Sequence, residues 1–167
     1  MQTSNSRCHA PARRIRGFTV VEALTVLAVV AVLAAIALPS LASVLASQRL
    51  RAAGTDLMSS LLLARSEAIK RNAQVEVAPR NAGDWKSGWR VATVATDEQV
   101  DRKEALGVRV DVSLAPATIV YERNGRLGVA GVAQVEFRDS ENQAGVLARC
   151  VTIDPSGLPR LGIGVCA

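Results

Sequence analysis

From Phe18 to Leu38 the chain runs through Phe, Thr, Val, Ala, Leu and Ile with a single ionisable side chain, Glu22. At about 1.5 Å per residue a helix of this length covers roughly 30 Å, the depth of a bilayer's hydrocarbon layer. Pro39 comes next, where it bends a helix or ends it. Beyond it Leu41, Val44, Leu45, Leu50, Ala53, Leu57, Leu61, Ala64 and Ala68 recur at mostly three- and four-residue steps, while Arg51, Thr55, Ser59, Ser66 and Lys70 face away. The pattern predicts one long helix kinked at Pro39. It is apolar all round over 18–38 and amphipathic over 39–71, with Gly54 as a second soft point. Asp56 and Glu67 among the arginines weaken the case for a membrane-surface helix and favour packing against a domain.

After Asn72 the period shortens towards two, first in Gln74-Val75-Glu76-Val77, then from Trp89 to Val94 and in Val108-Arg109-Val110-Asp111-Val112. Further strands are expected over 118–121, 134–138, 149–153 and 158–165, with turns at Asn124-Gly125 and Asp154-Pro155-Ser156-Gly157. Seven short strands without an intervening helical pattern predict antiparallel sheets packed on the second half of the helix. The fold class is therefore α+β, with a β-rich head over 72–167. The charged stretch from Asp97 to Glu104 reads as a solvated loop. Trp85 and Trp89 read as core or edge aromatics, and Ala64-Arg65-Ser66-Glu67 as an exposed helical turn.

Composition sharpens this picture where it is asymmetric. The 167 residues carry 20 Lys and Arg against 15 Asp and Glu, a formal charge of +5. Arg7, Arg13, Arg14 and Arg16 all precede the apolar run, and without them the balance is +1. Basicity thus belongs to the first 17 residues, which places the N-terminus in the cytoplasm by the positive-inside rule and the head on the other side of the membrane. The single histidine, His9, lies in the same leader. Without the leader, His-dependent nucleophilic catalysis and His-ligated zinc are unavailable. No acid, base and nucleophile can be assembled from the spacing of the remaining residues, and no Gly-Lys-Ser phosphate cradle occurs. The expectation is a non-enzymatic chain with no cofactor and no metal site. Of three cysteines, Cys8 is in the leader. Its loss would leave Cys150 and Cys166, whose bonding suits an oxidising compartment and would contribute about 3 kcal/mol through the unfolded state.

Three readings compete for the apolar run: a cleaved secretory signal with Ala35-Ile36-Ala37 as its processing site, a plain anchor, or a segment that needs Glu22. Length and Glu22 count against the first. A carboxylate near the start of a spanning helix costs up to about 2.5–3.5 kcal/mol at the bilayer centre and less near the interface. It is either tolerated at the headgroups or awaits a cation, for which a new α-amino group made by nearby proteolysis is the obvious source.

Arg16-Gly17-Phe18-Thr19-Val20-Val21-Glu22, followed by the Ala/Val/Leu helix and Pro39, resembles the prepilin signature of type IV pilins and type II secretion pseudopilins. The sequence departs from the commonest pattern in Val20-Val21, where Leu and Ile are usual, and in Ala23. The run Leu61-Leu62-Leu63-Ala64-Arg65-Ser66-Glu67-Ala68, the Gly88-Trp89 pair and the late Asp154-Pro155-Ser156-Gly157 turn are similar to the GspH/FimT pseudopilins. The resemblance implies a pilin-like fold divided as leader 1–17, transmembrane helix 18–38, amphipathic helix 39–71 and periplasmic head 72–167. It implies cleavage by prepilin peptidase between Gly17 and Phe18, N-methylation of Phe18, and pairing of the Glu22 carboxylate with the N-terminal amine of a neighbouring subunit. The implied partners are other pilin or pseudopilin subunits, the peptidase and the inner membrane. The implied role is a minor pilin or pseudopilin in a type II secretion system or a type IV pilus.

A second function of a different class is DNA binding for uptake, since some FimT-like proteins use a C-terminal Gly-Arg-x-Arg motif. Here only Gly125-Arg126-Leu127-Gly128 and Gly157-Leu158-Pro159-Arg160 come near it. Arg126 and Arg160 are its candidate residues, each a single arginine where two would grip adjacent phosphates. A third is an unrelated secreted β-domain that begins near Ser40.

Overall fold

A computed structural model of the chain describes residues 18–129 and 131–167, with the side chains of residues 37–40 left outside the description. Helix α1 covers Val20–Arg71. The chain divides between Leu38 and Pro39 into two units. Gly17, Cys8, His9 and the arginines of the leader lie outside the described residues. So does the side chain of Pro39, at which a kink was expected.

In the second unit the part of α1 beyond Pro39 is followed by eight strands: β1 (Val75–Asn81), β2 (Asp84–Thr93), β3 (Gln99–Arg102), β4 (Val110–Leu114), β5 (Ile119–Tyr121), β6 (Ala133–Asp139), β7 (Arg149–Ile153) and β8 (Pro159–Ile163). They form two four-stranded sheets in the orders β3-β2-β1-β5 and β4-β6-β7-β8, and every pairing is antiparallel. Alternation explains which side faces inward. Val75 and Val77, Trp89 and Val91, Ile119 and Tyr121, Val135 and Phe137, and Val151 and Ile153 share one buried cluster with the helix seam Leu50, Ala53, Leu57, Leu61, Ala64 and Ala68. A long helix covered by antiparallel strands is the α+β arrangement that the periodicity predicts.

Three local expectations need correction. Leu41, Val44 and Leu45 are 55%, 53% and 48% exposed, because burial of the helix begins at Ala46 and its seam joins the strand core only from Leu50. The stretch 97–104 is not all loop. Its residues 99–102 form β3, which pairs Arg90 with Arg102 and Val91 with Asp101 at the edge of the first sheet. Charged residues are the usual protection of such an edge, so composition alone disguised the strand. Finally, the Ala64-Arg65-Ser66-Glu67 turn is not simply exposed: Ala64 is fully buried and Glu67 is 8% exposed.

That turn fastens the helix to the head. The Arg65 Nε donates to the Gly125 carbonyl at 3.0 Å. Glu67 accepts from Arg71 at 2.6 Å, and Arg71 reaches on to Glu98 at 2.9 Å, just before β3. The Arg71 and Lys70 hydrogen bonds hold the Glu67 carboxyl below its ordinary range, against the opposing effect of burial. Over this contact the two predicted turns stack. Gly125 and Gly157 both have positive φ, 74° and 83°, and a Cβ on Gly157 would lie 2.1 Å from the Gly125 carbonyl oxygen. Gly157→Ala should therefore lower stability by about 3 kcal/mol, combining backbone strain with overpacking. Gly83→Ala, at a φ of 76° but with nothing within 4 Å of the new Cβ, should lose only about 1 kcal/mol. Thermal melts of the two variants separate the clash from the strain; equal losses would mean that the stacked turns give way freely.

Candidate functional site

In the first unit Thr19 starts the helix. Its Oγ1 accepts from the Glu22 N–H at 3.2 Å and its carbonyl from the Ala23 N–H at 3.1 Å, the arrangement of an N-cap. The Thr25 hydroxyl folds back onto the Glu22 carbonyl at 2.9 Å, so its polarity is consumed within the helix. Glu22 is the acidic residue of the first turn, where the helix dipole favours a negative charge. Its carboxylate is exposed and makes no ion pair among the described residues. Around it, Phe18, Val20, Val21, Leu24, Val26 and Leu27 are all more than half exposed, and the same holds along the helix to Ile36. A helix that is apolar on every side has to be covered by lipid or by other protein. No single described helix is long and apolar enough to cross a membrane; Val20–Ile36 and Leu41–Arg71 pass that test only together, on length and composition. Chemically, this segment can bury itself in an apolar medium and offer one carboxylate to a cation.

The other candidate residues fall in the head. Cys150, on β7, and Cys166 are bonded, with their Cα atoms 5.2 Å apart. Arg126 is exposed, its N–H held by the Asn124 side chain at 3.0 Å. Arg160 is exposed on β8 with Asp154 at 3.8 Å. Contact between the two glycine turns brings the Arg126 turn beside the start of the segment leading to Arg160, but an acid attends the second arginine. Trp85 and Trp89 are core: the Trp89 Nε1 donates to Ser60 Oγ at 2.9 Å and the Trp85 Nε1 to the Pro116 carbonyl at 2.8 Å. Among the described residues no group of three or more His, Cys, Asp or Glu side chains could hold a metal ion.

Two buried acids on β6, Glu136 and Asp139, escape the sequence pattern. Glu136 on β6 is only 3% exposed. It accepts from Ser113 Oγ at 2.7 Å and from the Cys166 N–H at 2.6 Å, and it pairs with Arg138. Burial opposes its ionisation, but the Ser113, Cys166 and Arg138 contacts outweigh it and hold the carboxyl below its ordinary value of 4.5. A depressed folded-state pKa gives stability that is present above 4.5 and is lost as the pH falls through the folded value. The thermal midpoint of the wild type should accordingly fall on acidification below that point, and Glu136→Gln should flatten the dependence. An unchanged acid limb in the variant would remove Glu136 as its cause.

Residues 53–157 match the family described as Type II transport protein GspH, and residues 12–38 match the prokaryotic N-terminal methylation motif. The chain belongs to the GspH family. GspH proteins are minor pilins and pseudopilins, structural proteins and not enzymes; the family match falls within the second unit and the methylation motif within the first. No curated protein matches the chain. Among solved structures it resembles the type IV minor pilin FimU of Pseudomonas aeruginosa strain PAO1 in two crystal forms. In space group P21 the TM-score is 0.57 at 18% identity, covering 71% of this chain and 90% of that one. In space group P65 it is 0.54 at 18% identity, covering 69% and 92%. The minor pseudopilin EpsH from the type 2 secretion system of Vibrio cholerae gives 0.49 at 16% identity, covering 68% and 95%. At these identities the FimU likeness establishes the fold alone.

Proposed function

We propose that this GspH-family chain is a subunit of a type II secretion pseudopilus or type IV pilus, stored in the inner membrane and drawn into a filament by its N-terminal helix. Prepilin peptidase cuts between Gly17 and Phe18 and methylates the new Phe18 amine. Residues 18–38 then hold the subunit in the inner membrane with the head in the periplasm, where the Cys150–Cys166 bond is stable. On assembly the Glu22 carboxylate accepts the N-terminal amine of a neighbouring subunit. Two charges that each cost energy in an apolar medium gain by pairing there. The single observation that carries this reading is a helix start that is apolar on every face except for Glu22, four residues after Phe18, within the matched methylation motif.

The test is N-terminal mass spectrometry of the protein purified from membranes with and without prepilin peptidase. The expected mature chain begins at N-methylated Phe18 and appears only when the peptidase is present. A start near Ser40, or an uncleaved Met1 in both preparations, would sink the reading.

A further inference from the structure

The residues that end the chain after β8 do not leave the head but cross the outer face of its second sheet. On β6 the core-facing set is Ala133, Val135, Phe137 and Asp139, so Gln134, Glu136 and Arg138 face the other way. Glu136 lies directly opposite Cys150 in the β6–β7 register, which puts the two side chains on the same outer face. An outward glutamate on a central strand should be wet, yet Glu136 is 3% exposed. The chain after β8 accounts for that cover. The Gly164 N–H donates to the Ala148 carbonyl at 2.8 Å, the Cys166 N–H to Glu136 Oε2 at 2.6 Å, and the Gln134 amide to the Ala167 carbonyl at 2.9 Å. These contacts make residues 164–167 a strap fastened to β6 by side chains.

Glu136 is itself fixed by groups that do not belong to the strap. On β4, Val112 faces Phe137 and Leu114 faces Glu136, so Ser113 is the extra residue of a bulge. Bulges of this kind re-aim a side chain, and the Ser113 hydroxyl is aimed at Glu136 Oε1, at 2.7 Å. Arg138 neutralises the carboxylate from the same strand. Oε2 is thereby left as a preset acceptor for one backbone N–H, that of Cys166.

We propose that Glu136 is a positioning residue for formation of the Cys150–Cys166 bond, docking the strap through the Cys166 N–H so that the two thiols meet before they are oxidised. The oxidant is a disulfide, either a thiol–disulfide oxidoreductase or a small-molecule disulfide such as glutathione disulfide. Cys166 is half-buried whereas Cys150 is 6% exposed, so Cys166 is the thiol that the oxidant reaches. Its thiolate, after losing a proton, attacks one oxidant sulfur to form a mixed disulfide and releases the other as a thiolate. The Cys150 thiolate then attacks the Cys166 sulfur, forms the protein disulfide and releases the second oxidant thiolate. Two cysteine protons and two electrons have left the protein, and one oxidant disulfide has become two thiols. A nearby carboxylate does not assist the first step, because negative charge disfavours a thiolate. It assists the second, which is an intramolecular closure governed by effective concentration. This bond formation belongs to the head's own maturation and is independent of filament assembly.

The experiment uses the reduced full-length Cys8→Ser chain in detergent, mixed with glutathione disulfide, quenched with acid at intervals and analysed by mass spectrometry. The wild-type background is expected to pass to the intramolecular disulfide with little glutathione adduct. Glu136→Ala should accumulate the adduct at Cys166 and close at least about tenfold more slowly, the loss expected for a charge-assisted hydrogen bond. Glu136→Gln keeps an acceptor and should recover most of the closure rate. Closure of Glu136→Ala at the wild-type rate overturns the proposal. Should that variant fail to fold, amide exchange at Cys166 in the reduced wild-type chain decides instead. Protection supports a docked strap, and exchange at the rate of a free peptide overturns it.

Discussion

Glu22→Ala is expected to leave the full chain inserted in the membrane while its incorporation into filaments, measured by shearing or by cross-linking to neighbours, falls by at least about tenfold. Two effects push the same way. On the proposed assembly the variant loses a charge-assisted bond to the incoming amine, worth about 1.5–3 kcal/mol. It also rests more comfortably in lipid, since a buried carboxylate there costs up to about 2.5–3.5 kcal/mol. Thr19 caps the helix through the Glu22 backbone and not through its carboxylate, so the substitution should not unravel the first turn. Glu22→Gln, which keeps a hydrogen-bond acceptor without the charge, should fall between the two. Normal incorporation of Glu22→Ala would show that the helix enters the filament by apolar packing alone.

The largest loss of stability is expected at Trp89. Its ring is 1% exposed, 6.4 Å from that of Trp85 by centroids, and its Nε1 donates to the buried Ser60 hydroxyl on the helix. Trp89→Ala removes the largest side chain joining the helix to the first sheet and should cost about 4 kcal/mol. Ser60→Ala strands the indole N–H and should cost about 1–3 kcal/mol. The two residues touch, so their effects should not add. Thermal melts of the single and double variants measure the coupling, and full additivity would mean that the hydrogen bond contributes nothing.

How far the fold was legible follows from where each residue finds its partner. β1, β2, β6 and β7 announce themselves by alternation because one face of each meets the helix, and the seam from Leu50 to Ala68 shows the helical step for the same reason. On β3 no side chain is fully buried, and the one hydrophobic residue packed against the core, Val100, is too little to impose a period. Leu41, Val44 and Leu45 continue the apolar pattern past the point where the sheets stop covering it. Arg65 and Glu136 illustrate a different limit: Arg65 reaches the Gly125 carbonyl and Glu136, besides its side-chain partners Ser113 and Arg138, takes the Cys166 N–H, and such distant backbone groups are encoded by no side-chain pattern. The bulge at Ser113 would have been the nearest signal for Glu136, but a single extra residue is invisible in a short strand. At the helix start the chemistry was plainer, because a lone carboxylate in an apolar run stands out without any tertiary partner.

Leu161 on β8 packs against Gly54, so closely that a Cβ there would meet its Cδ1 at 2.6 Å. The contact joins an early turn of the head's helix to its final strand, and all seven other strands lie between them in sequence. Chains whose decisive contacts are this distant fold slowly, because loop-closure entropy is spent before the contact forms. On the proposed export route, a head built this way should emerge from its translocation pore well before it can become compact. Its alternating strands would stay exposed to neighbours throughout that interval, and a periplasmic holdase that shields them would raise the yield of folded head without altering its final stability.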